Sequence, residues 1–403
     1  MRAGAEPQII LDLSRLLGRV MHATPTGVDR CEMAYARGLL AAVPDRLRFA
    51  AVHPVGIYGR LPTETVKRFL DATEWRWQHQ GQMSRPALRG QALRWLAALR
   101  PRVGSRARGA LRARYVQSSP NHLTDARVNA RILARERAEF VCLVHDLIPL
   151  QYPEYARPDG AAQHRRRIAT VAGLASGVLA NSQATLDALQ PYLDAKPRPT
   201  LTAVAHLGTH LGETPSAPVS GRPYFVCIGT IEPRKNHLLL LNLWRRWSER
   251  DGAHAVPKLL VIGRRGWENE QIIDMLERCP ALKGCVEELC GLPDRKVEQL
   301  LAGARGLLLP SFAEGYGMPV SEALTLGVPA LCSDLPALRE AGGDVPDFLD
   351  PLDGPAWARA IEDLSRDGST LAAAQARRRA GWRPHNWPEH LAILLDLLHR
   401  LPT

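Results

Sequence analysis

The stretch Gly306–Gly343, GLLLPSFAEGYGMPVSEALTLGVPALCSDLPALREAGG, sets two carboxylates, Glu314 and Glu322, around a glycine-containing turn. An ionised carboxylate only accepts hydrogen bonds, so the pair suits a ligand rich in hydroxyls, and the vicinal diols of a sugar or ribose offer two donors each. Gly315 and Gly317 let backbone approach a ligand closely, while the N–H groups of Tyr316 to Met318 would face it from a helix start. Read alone, Glu322 is better explained as a favourable charge in a helix's first turn.

Some eighty residues earlier lies Gly229–His237, GTIEPRKNH. Gly229 and Thr230 end an apolar run and a helix follows, so free N–H groups and partial positive charge meet there and can hold phosphate. Arg234 and Lys235 add fixed cations, and a guanidinium can clamp phosphate oxygens with two parallel bonds. The plain alternative is a capped helix with two solvated cations. His145-Asp146 follows another apolar run, where the imidazole could bond a hydroxyl or a phosphate or simply occupy a turn. Thr26-Gly27-Val28-Asp29-Arg30 opens the first long helical segment, and Gly27, Asp29 and Arg30 are candidates for close approach of phosphate or a second substrate.

These residues need a scaffold that places strand ends beside helix starts. Leu307–Leu309 reads as a buried strand stopped by Pro310, and Pro319 is expected to open the next helix. Strands are expected at Gln8–Leu13, Arg48–His53, Phe140–His145 and Gly177–Ala180, with helices at Cys31–Ala42 and Thr63–Leu70. A second series follows: strands at Tyr224–Gly229, Lys258–Gly263, Val286–Cys290, Gly306–Leu309 and Pro329–Cys332, alternating with helices at Lys235–Trp247, Glu268–Arg278, Asp294–Ala304 and Pro319–Leu326. Such alternation predicts an α/β chain of two Rossmann-like, doubly wound parallel sheets, whose ligands sit at the strands' carboxyl ends. The expected division is 1–212, a Pro-, Ser- and Gly-rich linker at 213–223, a second domain at 224–381, and a C-terminal helix within 382–403 that packs back on the first domain.

A chain of 403 residues exceeds one ordinary core, and 45% hydrophobic with 23% charged residues is a globular composition. No apolar run reaches the roughly 20 residues of a membrane-spanning helix, and the first ten residues lack the features of a secretory signal. The seven cysteines lack the pairing of a structural zinc site, and most lie in apolar runs, which favours reduced thiols, a cytoplasmic location and no bound metal. The formal charge of +11 concentrates at Arg85–Arg114, which holds nine arginines within a span, Trp75 to Leu123, that has no acidic residue. Leu88, Ala92, Trp95, Leu96 and Leu99 recur at helical spacing, so this segment is expected to be a basic insertion, either solvated or lying peripherally on the anionic inner face of the plasma membrane. Nucleic acid is not expected as a partner, because aromatic stacking residues are sparse and no binding motif accompanies the charge.

Taken together, EGYGMPVSEAL, the following GVPALCSDLPALREAGG and the earlier GTIEPRKN resemble the retaining GT-B glycosyltransferases of family four. HDLIPLQYPEY, ANSQATLDAL and NWPEHLAILLDLL are similar to parts of bacterial mannosyltransferase-like members that build surface polysaccharides, so the resemblance covers nearly the whole chain. It implies two domains facing a central cleft and transfer of a hexose, with GDP-mannose the best donor, to a saccharide or lipid-linked acceptor. It also implies that Arg234 and Lys235 hold the diphosphate, Glu322 the ribose and Glu314 the sugar, with Gly315, Tyr316, Gly317 and Met318 contacting sugar and phosphate. His145 would sit against the sugar from the other domain, and Gly27 near the diphosphate. The base would be read around Gly263-Arg264 and Gly291-Leu292. No Asp-x-Asp occurs, so the expectation is a metal-independent reaction without cofactor, the cations replacing the metal. Two departures stand out: TGVDR replaces the TGIGR or Gly-Gly of many relatives, and Gly291-Leu292 replaces their Gly-Tyr or Gly-Phe turn. A nucleotide-sugar epimerase or hydrolase on the same fold, or a non-catalytic assembly partner, are the competing readings.

Overall fold

The computed structural model describes residues 6–79, 85–102, 112–196, 199–210 and 221–402. Two compact units divide them: unit 1 takes Met1–Leu150, Asp159–Leu207 and Asn386–Thr403, and unit 2 takes Gln151–Pro158 and Gly208–His385. Most of the linker expected at 213–223 lies outside the described residues, which omit 211–220.

Unit 1 is built on β1 (Ile9–Asp12), β2 (Leu47–Val52), β3 (Tyr58–Leu61), β4 (Ala113–Gln117), β5 (Ala138–Val144), β6 (Ala175–Ala180) and β7 (Leu201–Val204). Their order is β3-β2-β1-β4-β5-β6-β7, with β3 antiparallel at one edge and the rest parallel. Helices cover both faces, so β1, β4 and β6 are buried along their whole length, which is why they read as continuous runs rather than alternating ones. Unit 2 is built on β8 (Tyr224–Ile228), β9 (Lys258–Ile262), β10 (Val286–Leu289), β11 (Gly306–Leu309), β12 (Ala330–Ser333) and β13 (Asp347–Leu349), ordered β10-β9-β8-β11-β12-β13 and all parallel. In each sheet the strand order reverses once, between β1 and β4 and between β8 and β11. Those are the two topological switch points, where the loops at the carboxyl edge diverge and leave room for a ligand.

The closing helix Trp387–Arg400 belongs to unit 1. Asn386 caps it by accepting from the Glu389 N–H at 2.9 Å, and Pro388 sits in its first turn, where a missing N–H costs nothing. His390 donates from Nδ1 to the His206 carbonyl at 3.0 Å, which leaves Nε2 to accept from the Tyr35 hydroxyl at 2.7 Å. Burial lowers this imidazole to about 4, so it stays neutral in that pair.

The structure corrects the reading of the basic segment. Arg114 is not part of an insertion but a residue of β4, 1% exposed, and its guanidinium donates to the carbonyls of Leu398, Leu401 and Pro402 at 3.2, 2.8 and 2.8 Å. It thus satisfies acceptors that the end of the closing helix leaves over. A helix does form at Arg85–Ala98, but its apolar side faces protein: Ala92 is fully buried and Trp95 packs edge-on against Phe69, centroids 5.6 Å apart. Arg89, Arg94 and Arg100 remain exposed. Residues 103–111, with Arg106 and Arg108, lie outside the described residues.

Other boundaries differ as well. The first long helix runs Gly27–Ala42, not from Cys31, because Thr26 and Asp29 form a capping box that starts it four residues earlier. The helix expected at Thr63–Leu70 continues to His79. The helix after β11 spans Met318–Thr325, which moves Glu322 from the expected first turn into the second.

Candidate functional site

At the switch point of unit 2, the loop after β8 meets the loop after β11. Arg234 donates through Nη1 to the Glu314 carboxylate at 3.0 Å and to the Ala313 carbonyl at 2.8 Å, and its Nε lies 2.6 Å from Glu232. Lys235 Nζ reaches the other Glu314 oxygen at 2.5 Å, which also accepts from the Ser311 hydroxyl at 2.7 Å. The side chains are close to dry, with Lys235 9% and Glu314 7% exposed. Two carboxylates and two cations therefore neutralise one another in a low-dielectric site. Burial alone would raise the Glu314 carboxyl, but Lys235 and Arg234 outweigh it and bring the group down to about 2. At Glu232 burial wins, and its pKa stays above the ordinary value despite Arg234.

Backbone bonds tie the surrounding loops into one edge. Phe312 N–H donates to the Arg234 carbonyl at 2.7 Å, Ile231 N–H to the Arg264 carbonyl at 2.9 Å, and both Gly266 N–H and the Asn269 amide to the Ile231 carbonyl, at 2.9 and 2.8 Å. Gly229 and Gly263 have a packing role here. A Cβ on Gly263 would fall 1.8 Å from the Gly229 carbonyl oxygen, so β8 and β9 can turn past each other only without a side chain. Gly317 caps the helix Met318–Thr325 with φ +102°, a conformation that favours glycine, and brings Tyr316 and Met318 to the helix start. Thr230, Gly291, Leu292, Gly315 and Glu322 lie on the same carboxyl edge, in the loops after β8, β10 and β11 or in the helix that follows.

Unit 1 holds the remaining candidates at the carboxyl edge of its own sheet. His145 follows β5 and donates from Nε2 to the Ser118 carbonyl at 2.7 Å, so Nδ1 is its acceptor nitrogen, and burial lowers its pKa. Asp146 accepts from Ile148 N–H at 3.1 Å, and its carbonyl accepts from His164 at 3.1 Å. Asp29 bonds Arg15 at 2.6 Å and Arg19 at 2.8 Å while 1% exposed. Its role here is to cap the helix and neutralise two arginines, which accounts for an acid in TGVDR. Gly27 and Arg30 sit in that helix's first turn, beside the cap.

Reasoning from sequence missed Ser311, the pairing of Glu232 with Arg234, and an aromatic group made by Tyr155, Trp267 and Phe312. Ser311 lies three residues before Glu314, a spacing that could have suggested their bond. The aromatic group joins residues too distant in sequence for any local pattern to show.

Comparison with known proteins agrees with this architecture. Residues 214–380 match the family described as Glycosyl transferases group 1. O-antigen chain mannosyltransferase B of Escherichia coli is 35% identical over 164 residues, covering 41% of this chain and 42% of that protein. The serotype-specific mannosyltransferase WbdA of Escherichia coli is 26% identical over 249 residues, covering 57% of this chain and 30% of that protein. The chain thus spans less than half the length of these curated relatives. Among solved structures, Alr3699/HepE from Anabaena in complex with UDP-glucose superposes with a TM-score of 0.61 at 16% identity, covering 98% of this chain and 99% of that one. Over residues 214–380 the chain is therefore similar to the glycosyl transferases group 1 family, and its two Rossmann-like units share the GT-B fold of that solved structure.

Proposed function

We propose that this protein is a retaining, metal-independent hexosyltransferase of bacterial surface-polysaccharide synthesis. It moves a sugar from a nucleoside-diphosphate donor to a saccharide or lipid-linked acceptor. The observation that carries this reading is the Glu232–Arg234–Lys235–Glu314 group at the switch point of unit 2. It stores two cations beside two helix starts, where a diphosphate can be bound, and keeps them paired until one arrives.

On this reading the donor diphosphate takes Glu314's place against Lys235 and Arg234. Glu314, held ionised, turns its acceptor oxygens to the sugar hydroxyls, and Glu322 receives the ribose hydroxyls. As the glycosyl–phosphate bond breaks, negative charge grows on the departing phosphate and the two cations stabilise it, so no metal is required. A phosphate oxygen takes the proton of the incoming acceptor hydroxyl on the same face, which retains anomeric configuration. Neutral His145 offers Nδ1 to a hydroxyl. Mannose is favoured as the sugar because the relatives named above are mannosyltransferases. The exposed Arg89, Arg94 and Arg100 supply a cationic face for an anionic membrane surface where a lipid-linked acceptor resides. Among the described residues no helix is long and apolar enough to cross a membrane.

The test is a panel of nucleotide-sugars scored by thermal stabilisation and then by transfer, since a ligand at 100 times its Kd adds about 2.7 kcal/mol. GDP-mannose should stabilise the protein and yield a mannosylated acceptor in the presence of a chelator. Hydrolysis or epimerisation without acceptor dependence would overturn the reading.

A further inference from the structure

The chain between β5 and β6 leaves unit 1 for eight residues. Gln151–Pro158 belongs by its contacts to unit 2, where a single turn at Pro153–Tyr155 presents Tyr155 to the loop after β11. The Tyr155 ring stacks on Phe312 with centroids 5.8 Å and planes 10° apart, and Tyr152 stacks on Tyr155 at 5.9 Å and 29°. Trp267, from the loop after β9, donates its indole N–H to the Tyr155 carbonyl at 2.9 Å. The Arg157 guanidinium in turn lies over the Trp267 ring, 4.7 Å from its centroid. The eight-residue strap is thus gripped by stacking, by an indole hydrogen bond and by a cation–π contact.

What the strap grips matters more than how. Phe312 stands between Ser311, whose hydroxyl donates to Glu314, and Ala313, whose carbonyl receives Arg234. Its own N–H donates to the Arg234 carbonyl. The Phe312 ring is therefore the side-chain handle of the peptide that sets Glu314 against Arg234 and Lys235. Trp267 follows Gly266, whose N–H ties the loop after β9 to the loop after β8, so both ends of the grip sit on the edge that carries the cations. An acceptor-only carboxylate that must exchange partners needs a backbone that does not move with it.

We propose that Tyr155, held by Trp267, is a positioning residue for the loop 311–317, fixing Phe312 and through it the register of Glu314 and Arg234. The kinetic part of this inference rests on the reading of that loop as a donor site. The mechanical part does not, and the experiment separates them.

Hydrogen exchange is followed at the Phe312 amide in the full chain carrying Tyr155→Ala, Tyr155→Phe or Trp267→Phe, alongside turnover with a nucleotide-sugar donor. Tyr155→Ala should speed exchange at that amide by about tenfold or more, because the stack no longer resists local opening. It should lower kcat on the order of 10²-fold with a far smaller change in donor KM, as misplacement of a reacting group does. Tyr155→Phe keeps the ring and should match the parent in both readouts. Trp267→Phe keeps a ring beneath Arg157 but removes the indole donor, and should speed Phe312 exchange by several-fold. Unchanged Phe312 exchange in Trp267→Phe and Tyr155→Ala would overturn the proposal, and if Tyr155→Ala does not fold, Trp267→Phe decides alone. If the parent protein transfers no sugar from any donor, the donor-site reading fails while the exchange result still settles the strap's role.

Discussion

Replacing Glu314 by Gln removes one negative charge and little volume from a group that is otherwise neutral. Arg234 keeps Glu232 at 2.6 Å, but Lys235, 9% exposed, loses the carboxylate 2.5 Å away. Two routes give the size of the loss. The Glu314 carboxyl lies at about 2 in the folded protein against an ordinary value of 4.5, and that gap corresponds to about 3 kcal/mol of stability near neutral pH. Breaking a buried ion pair from one side costs about 3–5 kcal/mol. The routes agree, and for a unit of this size about 3 kcal/mol lowers the melting temperature by roughly 6–12 °C. The nucleotide response should change as well. If a diphosphate takes Glu314's place against the cations, the Gln variant no longer has that competitor, so a nucleoside diphosphate should bind it more tightly than the parent and restore much of the lost stability. Differential scanning calorimetry with and without nucleoside diphosphate measures both. A Glu314→Gln protein that melts within about 2 °C of the parent would show that the carboxylate does not hold the two cations, and one that gains no more from the nucleotide than the parent does would show that a diphosphate does not compete with it.

The same carboxylate sets an acid limit: its folded pKa is depressed, so its contribution is present above about pH 4.5 and is lost as pH falls toward 2, and Glu314→Gln should flatten the stability profile of unit 2 across that window in urea titrations. Arg114→Met strips the carbonyls of Leu398, Leu401 and Pro402 of their donors and should destabilise unit 1 by about 3 kcal/mol, with the closing helix fraying first by hydrogen exchange. Gly263→Ala pushes a methyl to 1.8 Å from the Gly229 carbonyl oxygen and should cost about 3 kcal/mol, whereas Gly291→Ala, with open space around it and φ +70°, should cost only about 1 kcal/mol in the same unfolding assay.

Much of unit 2 is legible in sequence because β8, β9, β11 and β12 are short apolar runs stopped by Gly, Pro or Ser, and the helices between them carry clear periodicity. Unit 1 is less so. Strand β4, ARYVQ, is buried throughout yet contains Arg and Gln, because its guanidinium finds backbone acceptors at the far end of the chain, and no local pattern reveals that compensation. Strands β3 and β13 are short and polar, and β7 is half-buried, so none shows a strong hydrophobic signal. At the candidate site, residue type and position pointed to Arg234, Lys235 and Glu314 separately. Their mutual neutralisation through Glu314 and the strap at Tyr155 depend on contacts between distant loops, which only the fold brings together, whereas the second acid, Glu232, is a local partner two residues from Arg234.

On the proposed function, the cations of unit 2 carry the departing diphosphate in a metal-independent transfer with retention. The direct measurement is the anomeric configuration and rate of product formation by NMR, with GDP-mannose, a lipid-linked acceptor and excess chelator, for the parent and for Arg234→Ala. An α-linked product from the α-linked donor is expected, at a rate on the order of 10²-fold lower in the variant. An inverted product, a chelator-sensitive reaction or an unimpaired Arg234→Ala protein would contradict the proposed function.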